Sequence, residues 1–258
     1  TQEVFCSVLG VYSAEQLGRF AMSGPTTGML GHQVMGAMMV LVVMGLWNAR
    51  SHLRDVWECA WGRQAGGDED ELISYRASVF GLVGGLAVMG IWLWRSGMPL
   101  WVLPLFLFAM LVIFLALTRV IVEAGLSSAV ETFTPAGFVI SGVGSSVLGP
   151  KGLLALGYTM AWSGDLLVFI MAPCANGIRI LYGLGRYKRR LVFMIALALG
   201  IGLVGSICTT LILAYSYGGV NLHQQYFSWF AQEPFKLAGR FVDSPIGPHW
   251  PGWGWHGL

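Results

Sequence analysis

Charge is scarce in this 258-residue sequence. Only 11% of its residues are Asp, Glu, Lys or Arg, where a soluble domain carries about a quarter. The balance points to lipid. The 15 basic and 13 acidic residues nearly cancel, to a formal net charge of +2. The clustered basic face that nucleic acid demands is missing, so no nucleic-acid partner is expected. Cysteine is scarce as well. Cys6, Cys59, Cys174 and Cys208 stand far apart, and without a Cys-x-x-Cys pair there is no seed for a zinc or iron–sulfur site. There is no Walker loop, nucleophile elbow, His-Glu-x-x-His or dinucleotide fingerprint. The expectation is a protein that is not an enzyme and holds no metal or cofactor.

What is present is apolar. The hydrophobic share is 55%, the mean hydropathy +0.66, and there are 36 glycines and 11 tryptophans. Glycine serves close helix packing in membranes, and tryptophan collects at membrane interfaces. A membrane-crossing helix takes about 20 apolar residues. Four continuous stretches meet that: about 29–48, 77–95, 99–122 and 191–215. A fifth, about 152–173, is apolar except for Asp165. The lipid bilayer is thus the first partner expected, and the fold class is an all-α polytopic bundle. Thr1 and the run from Trp253 to Leu258 look like cuts in a longer polypeptide.

The loops set the orientation, because Lys and Arg near span ends favour the cytoplasm. The 48–77 loop carries Arg50, Arg54, Arg63 and Arg76. The 175–190 loop carries Arg179, Arg186, Lys188, Arg189 and Arg190. Both are expected on the cytoplasmic side of the membrane. Two loops on one side must be separated by an even number of crossings, yet only three clear stretches lie between them. Either the segment 124–150, rich in Gly, Ser and Pro, crosses too, or one of the helices is re-entrant; the reading taken is a crossing at about 132–149, interrupted by Pro135 and its glycines. That makes about six spans, one of them discontinuous, over 28–217. Residues 1–27 and the aromatic-rich tail 218–258 fall on the opposite, non-cytoplasmic side.

Within 51–64, Leu53, Trp57 and Trp61 recur every four residues, with Arg54, Asp55 and Glu58 elsewhere. That is an amphipathic helix lying in the interface. Asp68-Glu69-Asp70-Glu71 reads as a solvated turn at the next helix start. In the tail, Tyr226, Phe227, Trp229 and Phe230 and the later tryptophans read as an interfacial aromatic belt. His32 reads as an interfacial or cavity-facing hydrogen-bonder, with no histidine at matching depth on another helix to make a haem site.

Charge inside a bilayer costs several kcal/mol at the helix centre, so such a group is a functional candidate by default. Asp165 sits well inside the 152–173 stretch with no basic residue within a turn; it needs a partner on another helix, a cation or a proton. Arg119 and Glu123 are four apart and share a helix face. They are either a structural pair with Arg119 snorkelling, or groups lining a solute path. The small and polar run Ser141-Gly142-Val143-Gly144-Ser145-Ser146 cannot be a regular lipid-facing helix. Interrupted backbone at membrane depth occurs where it lines a cavity or is buried in protein, and transporters use it to meet substrate. Gly142, Gly144 and Ser145 are the candidates there. The glycines Gly81, Gly85, Gly200, Gly202 and Gly205 read as helix-contact positions.

Several strings stand out together: His32-Gln33-Val34-Met35-Gly36-Ala37, Leu46-Trp47-Asn48-Ala49-Arg50-Ser51-His52-Leu53-Arg54, Ser74-Tyr75-Arg76, Leu117-Thr118-Arg119 with Glu123-Ala124-Gly125-Leu126, and Val143-Gly144-Ser145. The set resembles a family of polytopic prokaryotic membrane proteins placed near the oligopeptide transporters. The likeness runs over about 28–190, the C-terminal half of a larger chain. It implies a transporter-like membrane protein and names no substrate. The expected function is secondary transport of a small polar or peptide-like solute, coupled to a proton or cation. Asp165, Arg119, Glu123, Gly142, Gly144 and Ser145 would lie along the path. The alternative is a non-transporting scaffold or anchor, bound to a second copy or to other membrane subunits.

Overall fold

The computed structural model describes residues 29–61, 73–126, 134–163, 170–181, 188–222, 227, 230–248 and 250–255. Among these every regular element is helical. The helices are α1 (Met29–Asn48), α2 (Arg50–Ala60), α3 (Tyr75–Arg95), α4 (Val102–Ala124), α5 (Pro135–Val143), α6 (Ser145–Ser163), α7 (Met171–Leu181), α8 (Lys188–Tyr217), α9 (Phe230–Asp243) and α10 (Trp250–Trp255).

Among the described residues three helices are long and apolar enough to cross a membrane: α3, α4 and the Phe193–Tyr217 part of α8. A fourth span arises if α1 and α2, bent by 64° at their junction, count as one. These are the helices of an integral membrane protein. The three or four are fewer than the six expected, and the shortfall lies where the chain is broken into short helices.

Helix α4 is the hub. Its apolar window is 44% buried, against 11% for α3 and none for the window in α8. One cluster gathers Met35, Met38 and Val42 of α1 around Ala109, Ile113, Ala116 and Ile121 of α4, with Phe138 of α5 and Ala172 of α7. A second joins Leu93 and Met98 to Val102 and Phe106 of α4, with Val139, Ile140, Leu153, Leu156 and the tail residues Leu237, Ala238 and Phe241. Because lipid is as apolar as leucine, such packing rests on fit and not on escape from water.

The short helices run alongside α4, which at 23 residues is about 35 Å long. Gly97, just before α4, faces the Lys151 carbonyl, and Gly152 lies against Pro99. At the other end, Asn176 Nδ2 donates to the Leu126 carbonyl at 3.3 Å, and Arg179 Nη1 donates to the Val122 carbonyl. The chain therefore travels the length of α4 between 126 and 151, and returns between 152 and 176. The expected segment 124–150 is the first of these passages.

Its interruptions fall at glycines, not at Pro135. Pro135 opens α5: Thr134 caps that helix by accepting from Gly137 N at 3.1 Å, and a proline at the first helical position loses no needed N–H. The breaks are at Gly144 (φ +87°) and Gly149 (φ +66°), backbone conformations that only glycine adopts freely. The expected interfacial helix 51–64 is α2, ending at Ala60; residues 62–64 lie outside the described residues, as do 1–27.

Candidate functional site

Asp165 lies outside the described residues. The remaining sequence-derived candidates fall into two places that the structure does not bring together: one at the C-terminal end of α4, one at the break between α5 and α6.

At the first place, Arg119 Nε donates to Glu123 Oε1 at 2.8 Å. Their side chains are 39% and 62% exposed, so by itself the pair adds only a few tenths of a kcal/mol. What the guanidinium touches beyond Glu123 matters more. Nη1 approaches the Leu41 carbonyl of α1 at 3.5 Å and lies over Gly45, where a Cβ would come within 2.6 Å of it. Arg119 thus fills a notch that Gly45 leaves in α1 and ties α1 to α4 near this end. Asn176 and Arg179 of α7 meet carbonyls of the same helix end. There the carbonyls are short of partners and the helix dipole favours a cation. Gly125, left-handed at φ +67°, terminates the helix.

Neither Gly45 nor Arg179 was singled out from sequence as part of this place. Arg179 counted only towards orientation, and a glycine notch opposite an arginine 74 residues away has no local signal. Replacing Gly45 by Val is expected to expel the Arg119 guanidinium and cost about 1–3 kcal/mol through overpacking. Gly45→Ala meets only the tip of a flexible side chain and should cost less. Thermal unfolding in detergent checks the order; equal loss for both would contradict the notch.

At the second place, the break is occupied by the protein's own tail. Ser145, 2% exposed, accepts from Ile246 N at 2.8 Å and donates to the Ile246 carbonyl at 3.4 Å. Ser146 N, at the start of α6, donates to the same carbonyl at 3.3 Å. A Cβ on Gly144 would fall within 2.8 Å of Gly247 C and 2.9 Å of Ile246 O and Pro248 N. A Cβ on Gly142 would fall within 2.9 Å of Trp253. The Trp253 ring also stands edge-to-face on Phe138, centroids 5.4 Å apart. The small residues are small because the tail lies on them.

The approach of the tail is fixed further along. Helix α9 lies on α6, with the Pro234 carbonyl so near Gly157 that a Cβ there would sit 2.6 Å from it, and Tyr158 meets Phe235 edge-to-face at 5.8 Å. The tail's aromatics, expected at an interface, are thus divided: Trp250 is exposed while Trp253 is packed on α5. The buried hydroxyls nearby are used locally. Ser141 bonds to Phe138 O, Thr159 to Leu156 O and Ser163 to Thr159 O. Ser145, by contrast, bonds outside its own helix, to the backbone of Ile246. His32, expected at an interface or cavity, is fully buried in α1. Among the described residues no group of three His, Cys, Asp or Glu is placed to hold a metal.

The chain belongs to a family of unknown function (DUF6785), which matches residues 1–258. No curated protein and no solved structure matches it.

Proposed function

We propose that this family member is a secondary transporter-like membrane protein that moves a small polar or peptide-like solute, coupled to a proton or cation. The observation that supports it is the interrupted passage between 126 and 151. Its backbone breaks at Gly144 and Gly149 beside α4, the most buried of the three candidate spans, and at the first break it presents a helix start to a polar partner. That partner is now the Ile246 carbonyl. A helix N-terminus with free N–H groups is what transporters turn towards solute near the membrane midplane.

Counted with α1, α3, α4 and α8, the passage out and the return along α4 make about six crossings, with the first of the two discontinuous. On this reading the loops 48–77 and 175–190 are cytoplasmic, and the membrane is a prokaryotic inner membrane. The contacts of Arg119 with α1 and of Arg179 with α4 hold the cytoplasmic end shut. Gly142, Gly144 and Ser145 supply the solute-facing backbone once the tail withdraws. Asp165, in the apolar 152–173 stretch of the sequence, is the coupling group. Kinship with the oligopeptide transporters belongs to the same proposal.

A second reading draws on α8. Its apolar window buries nothing within the chain, as a helix would that anchors a larger complex without transport. Uptake by proteoliposomes separates the two. With a panel of short peptides and cations, wild-type protein is expected to accumulate a solute and Asp165→Asn to lose coupled uptake. Equal uptake by both removes Asp165 from the mechanism, and none by either favours the anchor.

A further inference from the structure

Helix α2 plays no part in the transport reading. It turns off α1 through 64° and packs one side on α3, where Ala60 is buried and the His52 ring meets Tyr75 edge-to-face at 5.9 Å. The other side is bare. At about 100° per residue, Leu53, Trp57 and Trp61 form a stripe, and Arg50 and Arg54 fall within the same arc of roughly 100°. Asp55 and Glu58 fall beyond its edge. The three apolar residues are 44%, 56% and 64% exposed, which is far more than one stray hydrophobe on a surface.

The arginines are held but not consumed. Arg50 donates to the Trp47 carbonyl at 3.3 Å and lies over the Trp47 ring at 4.9 Å. Arg54 gives its Nε to Glu58 at 2.9 Å and keeps 80% of its side chain exposed. Each guanidinium has five donors, so both retain N–H groups for a further anion, and guanidinium matches phosphate in a two-pronged way.

Tryptophan and arginine on one face, on a helix that leaves the end of a span sideways, suit one environment above others. The headgroup layer takes indole rings at its apolar boundary and offers phosphates just above. A protein partner in water would find the same face turned along the bilayer by the bend.

We infer that α2 recognises an anionic phospholipid surface. Leu53, Trp57 and Trp61 enter the headgroup layer, and Arg50 and Arg54 bind lipid phosphate. The inference needs only that α1 and α3 cross the bilayer, so it stands or falls apart from transport.

The test uses the full chain with its four cysteines replaced and a single spin label at position 51, 53, 55, 57 or 61. The protein is reconstituted into vesicles of phosphatidylcholine, with or without phosphatidylglycerol. Labels at 53, 57 and 61 are expected to collide with oxygen more than with a water-soluble nickel complex. Labels at 51 and 55 should do the reverse, and phosphatidylglycerol should widen the contrast. A second measurement uses unlabelled protein with its native cysteines. Phosphatidylglycerol retained over phosphatidylcholine through purification should fall by up to about five-fold for each of Arg50→Gln and Arg54→Gln, the preference one basic residue gains near an anionic surface. Three results would overturn the inference: no periodicity along α2, a face shielded from both collision reagents as by a protein partner, or depth and lipid retention indifferent to phosphatidylglycerol and to both arginines.

Discussion

Gly144→Ala is expected to be among the most damaging single substitutions in the chain, lowering stability by about 2–6 kcal/mol. Two costs add. At φ +87° and ψ 148° the residue occupies a region open essentially to glycine, and holding a side chain there costs of order 1–3 kcal/mol. The added Cβ also meets backbone atoms of Ile246, Gly247 and Pro248 within 2.9 Å, and backbone cannot swing aside as a side-chain tip can, so overpacking adds about 1–3 kcal/mol. Gly149 separates the terms. It too is left-handed, at φ +66°, with nothing within 4 Å of a Cβ. Gly149→Ala should show the strain alone. Thermal unfolding of the full chain in detergent is the measurement. A smaller loss for Gly149→Ala supports a tail seated on Gly144; equal losses would mean that the tail does not lie there.

Trp253→Ala is expected to unseat the tail without unfolding the bundle. The ring covers Gly142 and stands on Phe138, and truncating a large core aromatic costs about 3–5 kcal/mol. Trp253 is only partly buried, so the lower half of that range applies. Helix α9 remains on α6 through Leu237, Ala238 and Phe241, so the loss is local. It should be read as access. A cysteine at Ser145, in a background without the native thiols, should react slowly with a water-soluble maleimide while the tail is seated. With Trp253→Ala added, the rate should rise about ten-fold or more. An unchanged rate would show that water reaches Ser145 by another route, or that the tail holds without its tryptophan.

Much of the fold could be read from runs of Leu, Val, Ile and Met. The stretches expected at 29–48, 77–95, 99–122 and 191–215 agree with α1, α3, α4 and α8 to within about three residues, because a continuous apolar run has no other way to satisfy its backbone in lipid. That segment 124–150 is interrupted was legible in its Gly, Ser and Pro content, and its described part breaks at Gly144 and Gly149. The role given to Pro135 was the opposite of the real one, since Thr134 before it makes a cap and turns a breaker into a starter.

The occupant of the break could not be read at all. Ser145 and Ile246 are 101 positions apart, and nothing in Pro245-Ile246-Gly247-Pro248 announces a carbonyl aimed at a helix start. Glycine and serine in a membrane segment look the same whether they face solute or make room for another strand of the same chain. The composition of the tail, heavy in Trp, Phe and Gly, spoke for an interface and hid the contact of Trp253 with Phe138. The Arg119–Glu123 pair was legible from its spacing of four, but its tie to α1 depends on Gly45, one glycine among 36.

The proposed transport requires a polar path through the α5–α6 break, closed by the tail. Solute flux into proteoliposomes, compared between the full wild-type chain and Trp253→Ala over a panel of short peptides and cations, tests this most directly. Flux through wild-type protein is expected to increase several-fold in Trp253→Ala and to be abolished when Gly142 is replaced by Trp in that background, refilling the space from the other side. Absence of flux in every variant, or identical flux with and without Trp253, would contradict it.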